Sequence, residues 1–294
     1  MKDVLQHASD AMTTGALYAL YALGLGMVFG IMRLVNIAYG ELVMAGGYAL
    51  VMTSSLALPL RLVITVGVVV ALALSMEHLV FRRVRSASTT TLLVVSFAVS
   101  FGLQSVAQVA FDARARGTVV SSEFGHAWVV GGVRISVLSA VTVGATVVLL
   151  IGLASFLRMT NLGIWMRASA EDLTAARLLG VRANVVVATA FAISGVIAAI
   201  SAVLLVGQTG QVTPTVGVSA MLFGLVGAVV GGLGSLPGSV LGGFLLGVLT
   251  VVLQIALPLS LRPFRDAFVF AGVFLVLAVR PSGLIVARGT RSRV

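Results

Sequence analysis

The chain has 294 residues, is 59% hydrophobic and only 10% charged, and has a mean hydropathy of +1.15. A soluble domain is about a quarter charged, so this composition excludes a soluble globular protein and predicts a polytopic α-helical membrane protein. The net charge of +10 does not indicate nucleic acid: of 19 basic residues all but Lys2 are arginines, spread over loops, with no basic face interleaved with aromatics. The absence of cysteine excludes disulfides, thiol catalysis and cysteine-ligated metal. No hydrophilic segment is long enough to bury its own core, so one transmembrane domain is expected over residues 1–294.

Residues 1–10 read as a short polar tail. The first span covers about residues 11–32 and, without a basic leader, is expected to be retained rather than cleaved. Its Gly26-x-x-x-Gly30 spacing suits close helix approach, and Arg33 marks the membrane edge. Next comes Asn36-Ile-Ala-Tyr-Gly-Glu41 with Gly46-Gly47 behind it, an acid and several glycines opening a segment that stays apolar to Leu58. A third span, about residues 62–81, ends near Glu77 and His78, to which no function is assigned, and before Arg82, Arg83 and Arg85. A fourth covers about 91–111. In the polar stretch 112–136, two β-type runs flank Gly131-Gly132, a hairpin signal. A fifth span covers about 137–157.

The loop 158–184 interrupts this pattern with Arg167-Ala-Ser-Ala-Glu-Asp-Leu-Thr-Ala-Ala-Arg-Leu-Leu-Gly-Val181. A sixth span follows to about Val206, then a loop carrying Pro214. Residues 216–247 are glycine-dense and broken by Gly231-Gly-Leu-Gly-Ser-Leu-Pro-Gly238, which predicts two shorter segments meeting at a turn. A last span covers about 264–279, ahead of Arg280-Pro281 and a basic tail. All six prolines fall at segment ends or turns, where a missing N–H does least harm. The fold class expected is all-α: a membrane helix bundle of about eight or nine spanning or re-entrant segments with a short cytoplasmic helix. With the 158–184 loop inside, twelve of the 19 basic residues fall on the inner side, the sign the orientation rule requires.

Local rules place a helix within Arg167–Val181. Ser169 and Asp172 have capping-box spacing, acids sit in the positive first turn, Arg177 is in the last turn, and Gly180 is the stop. Residues 170–179 would form a helix about 15 Å long. Leu173, Ala176 and Leu179 share one side while Leu178 points away beside Glu171. Support from two directions is therefore expected, from the membrane domain and from a docked partner. A helix lying on lipid headgroups is the plainer reading, and its two acids weigh against it.

Glu41 has two readings: a functional intramembrane carboxylate, or a helix-start acid near the interface with Asn36 as cap. The glycines either allow tight packing or mark broken helices recurring in two halves around a pathway. The pathway or broken-helix candidates are Asn36, Tyr39, Gly40, Glu41, Gly231, Gly232, Gly234, Pro237 and Gly238. A P-loop needs a lysine that this chain lacks. His7, His78 and His126 lack ligand spacing, and no acid, base and nucleophile constellation is visible. No metal, no cofactor and no enzymatic activity are expected.

Three stretches resemble a known family: Asn36-Ile-Ala-Tyr-Gly-Glu41, Arg167–Gly180, and Val230-Gly-Gly-Leu-Gly-Ser-Leu-Pro-Gly238 with Gly242-Gly243. The ending Arg280-Pro-Ser-Gly-Leu284 matches as well. The chain resembles, over nearly its full length, the LivH-like permeases of high-affinity branched-chain amino acid importers of the ATP-binding-cassette type. It departs at Tyr39, where that family often has histidine. The resemblance implies a multi-pass subunit of the bacterial inner membrane, surrounded by membrane lipid. Its implied partners are a second, related permease, two cytoplasmic ATPase subunits and a periplasmic or lipid-anchored substrate-binding protein. The loop helix would then be the coupling helix docking on an ATPase, with Arg167, Ala170, Glu171, Asp172, Leu173, Ala176, Leu179 and Gly180 as coupling residues. ATP would be bound by the partner, and transport would proceed by alternating access. The competing expectation is a secondary transporter, independent of any ATPase, with Glu41 as proton carrier.

Overall fold

The computed structural model describes residues 2–85, 87–118, 127–130, 133–280 and 283–285. The chain forms α1 (Lys2–Met32), α2 (Tyr39–Met52), α3 (Leu58–Met76), a π turn (Glu77–Phe81), α4 (Arg82–Val84) and α5 (Thr89–Phe111). After β1 (Arg116–Gly117), β2 (Ala127–Val130) and β3 (Val133–Ser136) come α6 (Val137–Met159), α7 (Asn161–Glu171), α8 (Leu173–Leu178) and α9 (Ala183–Thr209). Then follow β4 (Gln211–Val212), α10 (Val216–Gly231), α11 (Leu236–Ala256) and α12 (Arg265–Val279).

Among the described residues six helices are long and apolar enough to cross a membrane: α1, α3 continued through α4, α5, α6, α9 and α11. Helices α2, α10 and α12 have 14, 16 and 15 residues. At a rise of about 1.5 Å per residue, each is too short for a full span. The eight or nine expected segments thus separate into six full-length helices and three short ones. Boundaries follow local chemistry. Ser88, Ser136 and Ser235 accept N–H groups at the starts of α5, α6 and α11. Gly210, at φ 69°, takes the left-handed turn that ends α9.

Two differences from the sequence reading stand out, beside one agreement. Residues 2–10 continue α1 as helix rather than a tail. The hairpin β2–β3 forms, with Ala127 opposite Ser136 and Val130 opposite Val133, while its Gly131-Gly132 turn and the basic tail from 286 lie outside the described residues. A second pairing, β1 with β4 antiparallel, was not anticipated and ties the segment after α5 to the segment after α9.

The core is built on α1, which packs against α9, α10 and α11. Glycine brings these helices backbone to backbone: Gly247 lies against Gly15, Gly243 against Tyr18 and Ala19, and Gly227 against Gly243. The bundle contains an internal repeat. Helix boundaries recur at a nearly constant offset in sequence: Met32 with Thr209, Tyr39 with Val216, Leu58 with Leu236, and Thr89 with Arg265. Helices α1, α2, α3 and α5 thus correspond to α9, α10, α11 and α12. Packing repeats too, since α1 lies on α10 and α11 as α9 lies on α2 and α3. The end of α1 meets the loop that leads into α9, where Arg33 donates to the Ala170 carbonyl, so α1 and α9, and with them the two halves, run in opposite directions.

Candidate functional site

The repeat axis passes through a helix crossing. Gly40 and Gly217, each the second residue of a short helix, press backbone on backbone. A Cβ at Gly217 would meet the Gly40 carbonyl oxygen at 2.7 Å, and one at Gly40 would strike the Gly217 carbonyl. Both helices follow a non-helical break, 33–38 before α2 and 210–215 before α10, and neither start has a side-chain cap. Glu41 sits at this crossing, 1% exposed. Ser100 of α5 donates to its Oε1 at 2.9 Å. Oε2 faces Gly217 and has no hydrogen-bond partner among the described residues. Ser100 is eleven residues from either end of α5. Glu41 therefore lies level with the middle of α5, about 16 Å along that helix from each of its ends.

This corrects the interfacial reading of Glu41. It is a first-turn acid of α2, but deep inside, where two positive helix ends rather than headgroups offset its charge. Asn36 is not its cap. The cap position is Ala38, and the Asn36 carbonyl accepts the Tyr39 N–H at 3.1 Å. The Asn36 side chain is fully buried, with neither amide atom bonded among the described residues. Tyr39 is also fully buried, its ring filling the space that a side chain at position 24 would occupy and its hydroxyl near Ser201.

The second glycine run is elsewhere. Gly231, Gly232, Gly234, Pro237 and Gly238 form the turn between α10 and α11, at the opposite end of α10 from Glu41. Gly231 packs on the Gly238 carbonyl, and Gly232 and Gly234 adopt φ values of 108° and 92°. Pro237 lies in the first turn of α11 and is exposed. The partner of the Gly40 region is thus Gly217, not Gly231–Gly238. Composition drew attention to the denser run, whereas only the constant offset between the two halves singles out Gly217.

Sequence reasoning also missed the face of α5 that meets the breaks. Ser96, Ser100 and Gln104, spaced by four, share one side of an otherwise apolar span. Ser96 Oγ lies 3.4 Å from the Val35 carbonyl while donating to Leu93, and Gln104 Nε2 donates to the Pro214 carbonyl at 3.4 Å. Their spacing was legible in the sequence; what they touch was not.

The charged loop lies at the end of α1. The expected single helix is split. Helix α7 runs through Ser169 to Glu171, Asp172 leaves helical geometry at φ −150°, and its carboxylate accepts the N–H groups of Thr174 and Ala175 to start α8. Asp172 is the cap because Ser169, 2% exposed, is buried inside α7. The stop is as expected: Gly180 at φ 87°, with the Val181 N–H reaching back to the Ala176 carbonyl. Ala176 faces inward and Leu173 is half-buried, but Leu179 is 85% exposed, as is Leu178, so Leu179 does not share their side. Arg167 and Glu171 are exposed, and the Ala170 carbonyl accepts from Arg33 at 3.3 Å, tying the loop to the end of α1.

Beside α8 an open cavity of about 550 Å³ is lined by Arg177, Arg182, Ala183, Asn184 and Val185. Glu77, for which no role was expected, binds Arg85 at 2.9 Å, and Arg85 also donates to Asn184 at 3.0 Å, joining the end of α3 to the start of α9. Burial lowers the Arg85 pKa, against the opposing pull of Glu77. Among the described residues no group of three His, Cys, Asp or Glu side chains could hold a metal.

Comparison with known proteins gives the family context. The pattern of the family described as "Branched-chain amino acid transport system / permease component" matches residues 8–279. The high-affinity branched-chain amino acid transport system permease protein LivH of Escherichia coli K12 is 32% identical, covering 96% of this chain and 95% of its own. LivH of Salmonella typhimurium is 33% identical, and BraD of Pseudomonas aeruginosa is 32% identical, both with the same coverage.

Proposed function

The chain belongs to the family of branched-chain amino acid transport permease components, and from that membership we propose that it is the inner-membrane permease subunit of an ATP-binding-cassette importer for branched-chain or related amino acids. It works with a second, related permease, two cytoplasmic ATPases and a binding protein on the outer side, in contact with membrane lipid along its apolar helices. ATP is bound and cleaved by the ATPase subunits, and this chain converts their closure into reorientation of the bundle. The whole chain acts as one transmembrane domain.

The observation that supports coupling through the 158–184 loop is the pair Leu178 and Leu179, each 85% exposed on a capped, stopped turn of helix. Apolar side chains held out on a rigid tip beside an arginine-lined cavity suit insertion into a groove on a soluble partner. Asp172 and Gly180 shape the tip, Leu173 and Ala176 seat it on the membrane domain, and Arg167, Ala170 and Glu171 support it from α7. Around the Gly40–Gly217 crossing, Asn36, Tyr39 and Glu41 border the pathway, while Gly231, Gly232, Gly234, Pro237 and Gly238 keep α10 and α11 locked together.

The test is the double substitution L178E/L179E in the assembled transporter. Association with the ATPases is expected to fall at least tenfold and ATP-driven leucine uptake to be lost; unchanged association and uptake would sink the coupling role. Vesicles holding this chain alone address secondary transport, since uptake driven by a pH gradient without ATPases would favour Glu41 as a proton carrier.

A further inference from the structure

Helix α5 is lightly held to the described part of its own subunit, by a few apolar contacts, among them Phe111 stacked on Tyr48, and by hydrogen bonds at the two breaks. Of its 23 residues only Leu92, Ser96, Ser100 and Ala107 are buried. The side-chain hydrogen bonds it makes to the helices and breaks packed around it lead to the interruptions: Ser96 reaches the Val35 carbonyl in the first, Gln104 binds the Pro214 carbonyl in the second, and Ser100 binds Glu41 between them. Spaced by four residues, the three lie about 6 Å apart along the helix. Each places a neutral side chain against an oxygen that no regular secondary structure satisfies.

A buried carboxylate with one neutral donor is incompletely satisfied. Glu41 receives one hydroxyl at Oε1, and Oε2 has no partner among the described residues although it is enclosed. Five residues earlier in the chain, in the break before α2, the Asn36 amide is fully buried and has a donor and an acceptor both unbonded among those residues. The starts of α2 and α10 meet at the same point without side-chain caps. The arrangement thus holds an acceptor suited to a cation next to two helix ends suited to an anion. An α-amino acid carries both charges two bonds apart.

We propose that Glu41 is the intramembrane recognition site for the α-ammonium group of a zwitterionic amino acid, with Ser100 of α5 occupying that place in the resting state. The substrate carboxylate lies toward the paired N-termini of α2 and α10. When α5 withdraws, Ser100 leaves Oε1 and the ammonium group takes its place with a charge-assisted hydrogen bond, stronger than the one it replaces. The exchange conserves hydrogen bonds, so α5 opens without leaving the carboxylate bare. This deepens the importer reading and rests on it.

The test uses the complete transporter in liposomes: this permease with its partner permease, ATPases and binding protein, and labelled leucine. Wild-type protein must take up leucine with ATP; failure there overturns the importer reading rather than this site. Glu41→Gln is expected to lower uptake at least tenfold while assembly and binding-protein-stimulated ATP hydrolysis persist, and Glu41→Asp is expected to recover part of the loss. Uptake by E41Q within twofold of wild type overturns the assignment. Ser100→Ala removes the resting donor and spares the carboxylate, so uptake is expected to stay within threefold and half-saturating leucine to fall. Loss of uptake in S100A as complete as in E41Q also overturns the proposal, because the bond would then be a structural latch. This second variant carries the test whether or not E41Q assembles.

Discussion

Across the break and first turn of α2 the chain carries Asn36, Tyr39 and Glu41, and at the matching positions around the start of α10 it carries Thr213, Val216 and Val218. The backbones correspond: each break ends in a short helix whose second residue is glycine, and the two glycines touch. The side chains do not. One half brings the carboxylate and the buried amide, while the other brings a proline carbonyl, a small backbone and apolar surface. The same contrast recurs at the helix ends. Glu77 pairs with Arg85 at the end of α3, and the equivalent position in α11, Gln254, accepts from Arg265 at 3.0 Å at the opposite end of the bundle from that pair. The repeat supplies a two-fold scaffold, and its chemistry is confined to one side of it.

This contrast can be broken most forcefully at Glu77. The Glu77 and Arg85 side chains are 5% and 11% exposed, so Glu77→Ala leaves a mostly buried guanidinium without its carboxylate. A loss of about 3 kcal/mol is expected, read as a lowered unfolding temperature of the purified protein in detergent. A smaller, symmetric effect is expected at the crossing. Gly40→Ala and Gly217→Ala each drive a Cβ into the facing backbone, and each is expected to cost about 2 kcal/mol in the same unfolding assay. Sensitivity at one glycine alone would show that the crossing is not reciprocal. The smallest effect is expected for Gln254→Ala, whose bond to Arg265 is exposed; a change of at most about 0.5 kcal/mol is expected. A loss as large as that of E77A would erase the distinction between the two ends.

How much was legible in advance differs between the two regions. The loop 158–184 stood out because charge is rare in this chain, and its stop at Gly180 follows from local rules alone. Its split at Asp172 did not, because two residues with capping chemistry compete there and only packing buries Ser169. Glu41 stood out for the same reason as the loop, but its depth depends on α5, whose Ser100 is 59 residues away. Gly217 was hidden among 33 glycines, since nothing near it in sequence marks it as facing Gly40.

The sequence by itself determined the solvent and the class of the protein. Apolar runs of span length require helices in a bilayer, prolines and glycines place their ends, and the arginines orient them. Tertiary structure decided which breaks meet, how deep in the bundle Glu41 lies, that Ser100 is its partner, and that Ala38 rather than Asn36 takes the cap position of α2. The physical reason is the reach of the interactions. Hydropathy, caps and turns act within a few residues and can be read from them. The Gly40–Gly217 crossing joins opposite halves of the chain through backbone contact alone, and such contact leaves no mark in either segment beyond the absence of a side chain.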